Sequence, residues 1–114
     1  MEAQSLARDL AHVASDAHAS DVLVLDIASL TTLADYFVVC TADNERQLRA
    51  IGRQVQEATD KIDIDPRRVE GTAESGWLLL DYGDVVVHIF GRAERQFYRL
   101  EEVWSAAQTL LVIQ

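Results

Sequence analysis

The chain has 114 residues, of which 49% are hydrophobic, and its 19 acidic and 10 basic side chains give a net charge of −9 at pH 7. That length suits one domain, residues 1–114, able to bury roughly two-thirds of its unfolded surface. No run of eighteen apolar residues occurs, and the N-terminus lacks the basic-then-apolar order of a secretory signal, so we expect neither a membrane span nor export. Phosphate binding needs cations, so we expect little direct nucleic-acid binding and a preference for a basic protein surface.

The single cysteine, Cys40, lies in the apolar run "DYFVVCTA". One cysteine cannot form an internal disulfide, and an apolar setting favours a buried, reduced thiol over a nucleophile. The sequence therefore predicts a cytoplasmic protein with an unreactive cysteine.

The first half of the chain predicts two helices and two strands. Apolar residues at helical spacing indicate an amphipathic helix over residues 2–18, and strands follow at 21–27 and 35–42. Either Asp43 or Asn44 is a suitable N-cap for a long second helix. The residues expected on its inner side are Leu48, Ile51, Gly52, Val55, Thr59 and Ile62.

The second half predicts a short edge strand at 68–72, a hairpin at 77–90 and a last helix that begins near Arg92. This order predicts an α/β fold with a mixed sheet of about five strands and flanking helices. The C-terminal tail, 105–114, is apolar and β-prone, so it either docks on its own domain or pairs with another chain; docking is the favoured interpretation. The residues expected to stack along the last helix are Phe97, Leu100, Trp104, Ala107 and Leu111.

The hairpin is defined by the step Gly83-Asp84, which suits a two-residue turn with glycine first. That turn fixes the strand register and assigns each side chain to one side of the sheet. One side is almost wholly aliphatic and is expected to lie under a helix layer. The other side carries Trp77, Leu79, Asp81, Val86, His88 and Phe90.

This second side combines aromatic, aliphatic and charged groups, which a sealed core tolerates only where the charged groups have partners. Aromatic anchors over an apolar patch are typical of protein interfaces, so we predict that these six residues bind a partner. The alternative is that the final helix covers this side and that Asp81 and His88 pair with each other diagonally.

Motifs for catalysis or metal binding are weak. His12 and His18 lie six apart with no further ligand in register, so no metal site is predicted. Asp63 and Asp65 alternate in the connection "IDIDP" without a glycine-rich phosphate loop before them, which favours a solvated loop. We expect no catalytic residue, no metal and no cofactor.

Three arginines, Arg92, Arg95 and Arg99, begin the last predicted helix, and Glu101 and Glu102 follow them. Ion pairing on a surface helix explains this pattern better than an anion-binding site does.

Five segments occur in a specific order: "DYFVVCTA" (35–42), "NERQLRAI" (44–51), "EG" (70–71), "GWLLLDYGDVVVHIF" (76–90) and "RQFYRLEEVW" (95–104). Together they resemble the ribosomal silencing factor family, RsfS, also called Iojap-related. The resemblance runs from about residue 3 to Trp104, so the tail after Trp104 is expected to lie beyond the family pattern.

The resemblance implies a fold like that of nucleotidyltransferases, without catalysis. It also implies binding to the large ribosomal subunit through ribosomal protein uL14, which blocks subunit joining and lowers translation when nutrients are scarce. The residues that carry the family motif are concentrated on the side of the hairpin with Trp77 and His88, which is the side predicted above to bind a partner.

Two other functions stay open at this stage. One is a nucleotidyltransferase-like enzyme that uses Asp26, Asp35 or Asp81 with a metal ion. The other is a homodimeric interaction module whose exposed apolar side meets a second copy.

Overall fold

The computed structural model describes residues 2–114, which contain six strands and four helices. Most boundaries lie within two residues of those predicted from the sequence. The helices are α1 (Ala3–Asp16), α2 (Glu45–Asp60), α3 (Arg92–Tyr98) and α4 (Leu100–Val103), and the strands are β1 (Ser20–Asp26), β2 (Tyr36–Ala42), β3 (Arg68–Thr72), β4 (Trp77–Asp81), β5 (Val85–Gly91) and β6 (Gln108–Ile113).

The strands form one sheet in the spatial order β3-β4-β5-β2-β1-β6. Neighbouring strands are antiparallel except for the central pair, β2 and β5, which are parallel. A parallel pair needs a long connection, and here it contains α2 and the β3–β4 hairpin. The predicted α/β class with a mixed sheet is confirmed, and the strand count is corrected from about five to six.

Helices α1 and α2 cover one side of the sheet, which we call the helix face. It is lined by alternate strand residues such as Val38, Leu80 and Val87, all fully buried. α2 begins after Asn44, whose side chain accepts a hydrogen bond from the Gln47 N–H at 2.8 Å, so the second of the two predicted caps is used. No helix within residues 2–114 is long and apolar enough to cross a membrane.

Two side chains on this face show how closely it is packed. A Cβ added at Gly52 of α2 would lie 2.5 Å from the Leu78 Cδ2 atom, so glycine is what lets helix and sheet approach each other here. Cys40 is fully buried, as predicted, and burial raises the pKa of its thiol to about 12. The thiol is therefore protonated at neutral pH and unsuited to nucleophilic attack.

The opposite side of the sheet is crossed by residues 92–107, which we call the strap, and we call this side the strap face. The strap leaves the sheet at the end of β5 and re-enters it as β6, so it passes over β2 and β1. It contains α3 and α4, which meet at Arg99, a residue in the left-handed region with φ of 47°. The prediction of one continuous last helix reaching Leu111 is therefore wrong.

The C-terminal tail explains why that helix does not continue. Residues 108–113 form β6, which pairs antiparallel with β1 and aligns Leu111 with Val24. Pairing with β1 supplies hydrogen-bond partners for the backbone N–H and C=O groups of the tail. It also closes an edge of β1 that a continued helix would leave unpaired. The predicted docking of the tail on its own domain is confirmed.

Candidate functional site

The β4–β5 hairpin has the register predicted from its turn. Trp77 lies opposite Phe90, Leu79 opposite His88 and Asp81 opposite Val86. Gly83 has φ of +89°, a conformation that glycine adopts without strain, and the Tyr82 N–H donates to the Val85 carbonyl at 2.8 Å to close the turn. The six residues predicted to bind a partner therefore share the strap face.

Three of these six residues are buried within the chain itself. Val86 and Phe90 belong to a second hydrophobic core between the sheet and the strap, and His88, only 4% exposed, lies against the Phe90 ring. An open surface was expected here, so this expectation is corrected for these three. The cover consists of side chains from the strap, including Leu100, Trp104 and Ala107.

The other three residues, Trp77, Leu79 and Asp81, are on β4 and are partly exposed. They lie at the margin of the strap, because β4 is on the side of β5 away from β2, and Tyr98 of the strap packs against the Trp77 ring. An open cavity of about 310 Å³ adjoins them, and it is lined by Glu70, Gly71, Ser75, Trp77, Leu79 and Tyr98. This part of the strap face is therefore partly open to solvent.

His88 is a neutral imidazole with a defined tautomer. The Trp77 indole N–H donates to His88 Nδ1 at 3.2 Å, and since the indole nitrogen only donates, Nδ1 carries no proton. Burial lowers the pKa of His88 to about 4, and the nearby Asp81 carboxylate opposes that shift only in part. At neutral pH the single proton therefore resides on Nε2, which has no hydrogen-bond partner within residues 2–114.

Asp81 is paired, but with a different residue from the one the sequence suggested. Its Oδ2 accepts from Arg68 Nε and Nη2, both at 3.2 Å, and its Oδ1 accepts from the Gly83 N–H at 2.8 Å. The alternative interpretation is therefore right that the last helical segment covers this side, for Val86, His88 and Phe90, and wrong that Asp81 and His88 pair diagonally. The carboxylate at this edge of the sheet is instead bridged by an exposed arginine.

Aromatic rings surround the buried imidazole. Phe37 meets the His88 ring edge-on with a centroid separation of 4.6 Å, and Trp104 meets Phe37 in the same way at 5.4 Å. Tyr98 lies 4.6 Å from the Trp77 ring. Phe37 and Tyr98 were missed as site residues, although the alternation of "DYFVVCTA" does place Phe37 on the same side of the sheet as His88.

The three arginines of the strap differ in environment. Arg95 is only 12% exposed and pairs with Glu101 at 2.6 Å, whereas Arg92 forms an exposed pair with Asp43 and Arg99 is 3.7 Å from Glu102. The prediction of ion pairing along a surface helix holds for Arg99, whereas Arg92 pairs with Asp43, which precedes α2. Arg95 has a structural role that the sequence did not reveal.

Of the carboxylates considered for catalysis, Asp26 ends β1 and lies next to Asp35, which directly precedes β2, whereas Asp81 ends β4. Within residues 2–114 there is no group of three or more histidine, cysteine, aspartate or glutamate side chains placed to hold a metal ion. Asp63 and Asp65 are exposed in the connection between α2 and β3, where the sequence placed them.

The chain resembles known proteins over nearly its whole length. A family model described as "Ribosomal silencing factor during starvation" matches residues 1–113. The match includes the tail, which corrects the expectation that the family pattern ends at Trp104. The Bacillus subtilis ribosomal silencing factor is 37% identical over 107 residues, which cover 94% of this chain and 91% of that protein. The chloroplastic Iojap protein of Arabidopsis thaliana is 34% identical over 116 residues, covering 96% of this chain and 45% of that longer protein.

Two crystal structures resemble the fold closely. A Chromobacterium violaceum protein superposes with a TM-score of 0.88 at 32% identity, covering 100% of this chain and 94% of that one. A Bacillus halodurans protein superposes with a TM-score of 0.82 at 31% identity, covering 95% and 98%.

Proposed function

Because the chain belongs to the ribosomal silencing factor family, we propose that it binds the large ribosomal subunit and prevents the small subunit from joining. The observation that carries this proposal is the likeness to ribosomal silencing factors over residues 1–113. The name of the family model refers to starvation, so repression of translation in the cytoplasm under nutrient limitation is the proposed setting.

The proposed binding site is the strap face. Trp77 and Leu79 supply partly exposed apolar area beside an open cavity, and Asp81 with Arg68 supplies polar groups at its rim. Interfaces commonly combine an aromatic anchor with a polar rim in this way. Val86, His88 and Phe90 lie beneath the same face and complete the set of residues assigned to the site.

The proposed partner on the ribosome is ribosomal protein uL14. The net charge of −9 supports a basic partner, since opposite charges accelerate encounter and disfavour wrong partners. The same charge disfavours ribosomal RNA as the main contact.

The proposed mechanism is steric and needs no turnover. The described chain measures 34 × 32 × 24 Å along its principal axes. A body of this size fixed on the subunit-joining surface keeps two subunits tens of ångströms apart, far beyond the contact distance of a packed interface. Inhibition is therefore expected to saturate near one copy per large subunit.

Co-sedimentation with purified subunits tests this proposal directly. The protein is expected to pellet with isolated large subunits and not with small ones, and to block joining only when added before the small subunit. Inhibition at a strongly substoichiometric dose would instead indicate catalysis.

Substitution of Trp77 tests the assigned face. Trp77→Ala is expected to weaken binding to large subunits by about 2 kcal/mol, since buried aromatic anchors dominate interface energies. Ile62→Ala is the matched control, because Ile62 is an exposed apolar residue after α2, away from the strap face. Equal binding by both variants would show that the strap face is not the site.

Reversal of the charge at Asp81 tests the polar rim. Asp81→Lys is expected to abolish the block by removing the partner of Arg68 and placing like charge against a basic protein. Asp60→Lys makes the same change in charge at the exposed end of α2 and should retain activity. Full activity of the Asp81 variant would contradict the assignment.

A further inference from the structure

The strap separates the predicted site into an open and a covered part. Trp77 and Leu79 are partly exposed, whereas His88 and Phe90 are buried under residues 92–107. A partner that touched only the open part would leave most of the aromatic surface of this face unused.

The strap is loosely integrated into the fold. No residue of α3 or α4 is buried, and Phe97 and Val103 are 79% and 71% exposed. The two helices meet at Arg99, whose left-handed backbone is uncommon for a residue with a side chain. Segments with few buried side chains have a low free energy of local opening.

Arg95 is the main polar attachment of the strap. Its Nη1 donates to the Thr41 hydroxyl at 2.8 Å and to the Asp21 carbonyl at 3.0 Å, and its Nε donates to Glu101 within the strap. Within residues 2–114, the other side-chain hydrogen bond from the strap to the rest of the protein is the exposed pair of Arg92 and Asp43. One partly buried side chain therefore joins both strap helices to β1 and β2.

Beneath the strap, His88 has an unused hydrogen-bond donor. Its Nδ1 is occupied by the Trp77 indole, so the proton on Nε2 faces the aromatic cluster without an acceptor. A buried donor left unpaired lowers stability, and an acceptor brought by another molecule would restore that loss.

From these features we infer that the strap is a displaceable cover over the binding site, and that its opening lets His88 donate a hydrogen bond to the partner. This inference rests on the proposed function, since it concerns how the same site is reached. The partner surface that fits is a protein surface with two properties. It offers an apolar side chain to replace Trp104 against Phe37, and a carbonyl or carboxylate oxygen to accept from His88 Nε2.

Loosening the strap should then strengthen binding, because the apparent affinity rises with the population of the competent state. Arg95→Met keeps the aliphatic stem and removes both attachments to the sheet, at Thr41 and Asp21, together with the ion pair to Glu101. We expect the Val103 and Trp104 amides to exchange hydrogen about tenfold faster while the amides of β5 are unchanged, and large subunits to bind about tenfold more tightly. Arg92→Met is the matched control, since it removes an exposed pair at the start of the strap, and neither readout should change.

The outcomes separate this inference from the proposed function. If the strap amides exchange hydrogen faster but large subunits bind equally well or more weakly, the strap is not a displaceable cover, and the proposed ribosomal function is unaffected. Unchanged strap exchange also overturns the inference of a displaceable cover, because Arg95 would then not hold the strap. Failure of the unmodified protein to bind large subunits overturns both.

A milder variant covers the case in which Arg95→Met unfolds the protein, seen as faster exchange throughout β2 and β5. Glu101→Gln retains the bonds of Arg95 to Thr41 and Asp21 and weakens only the ion pair within the strap. Hydrogen exchange of the strap amides and affinity for large subunits are both expected to increase by about threefold. Faster exchange without any change in affinity would contradict the inference that the strap is a displaceable cover.

Discussion

The two sides of the sheet are covered in different ways. On the helix face, α1 and α2 bury residues along their whole lengths, among them Leu10, Leu48 and Ile51. On the strap face, two helices of seven and four residues bury none of their own side chains, although they shield strand residues such as Phe90. Equal burial of strand residues therefore does not imply equal stability, because the mobility of the cover matters as well.

The sharpest test of this difference compares one truncation on each side. Ile89→Ala, at a fully buried position of β5 on the helix face, is expected to lower the free energy of unfolding by about 4 kcal/mol. Leu100→Ala, at a partly buried position of the strap, is expected to cost about 1 kcal/mol, because the strap can adjust around the smaller side chain. Urea unfolding of both variants measures the difference, and equal losses would contradict it.

The second test uses pH and probes the strap face alone. The pKa of His88 is lowered to about 4 in the folded protein and is near 6.5 in the unfolded chain, so between these values the unfolded chain holds the extra proton. Stability is therefore expected to fall as the pH is lowered from about 6.5 towards 4, by about 3 kcal/mol in total from this residue.

The variant His88→Phe keeps an aromatic ring at this position and removes the titrating group. It should lack this part of the pH dependence and retain the part due to carboxylates. The free energy of unfolding of both proteins is measured between pH 7 and pH 4.5. If it changes with pH equally in the two proteins, His88 does not titrate as described.

The third test, with the smallest expected effect, compares the reactivity of thiols at two neighbouring positions of β2 that are both fully buried. Cys40 faces the helices and Val39 faces the strap. A thiol at position 39, from Val39→Cys in a Cys40→Ala background, is expected to react with a thiol reagent at least tenfold faster than native Cys40. A tenfold ratio corresponds to a difference of about 1.4 kcal/mol between the free energy of opening the strap and the free energy of opening the helix layer. Equal rates would mean that both faces open together.

The helix face was predictable because its signals are local. The step Gly83-Asp84 set the register of the hairpin, and the cap at Asn44 set the start of α2. Helical spacing then identified the apolar side of α2 as far as Thr59. Only Ile62 was misplaced, since the helix ends at Asp60 and leaves it exposed.

The strap was not predictable by the same means. Residues from Phe97 to Leu111 follow helical spacing, and no proline or glycine marks the break at Arg99. The chain bends there because of contacts that are distant in sequence: Arg95 reaches Thr41, and β6 pairs with β1. The burial of His88 was only the alternative interpretation for the same reason, since its cover is provided by these residues and not by its own hairpin.

The position of β6 also bears on how the protein is made. β1 is synthesised early, but the strand that closes its outer edge is formed by residues 108–113, which come after every other element in chain order. Until then the nascent sheet presents an unpaired row of backbone groups along β1, to which any extended peptide can bond. A chain shortened before Gln108 would keep that edge open permanently. Such a chain is expected to associate with other copies during expression, in addition to losing the stability that the terminal strand contributes.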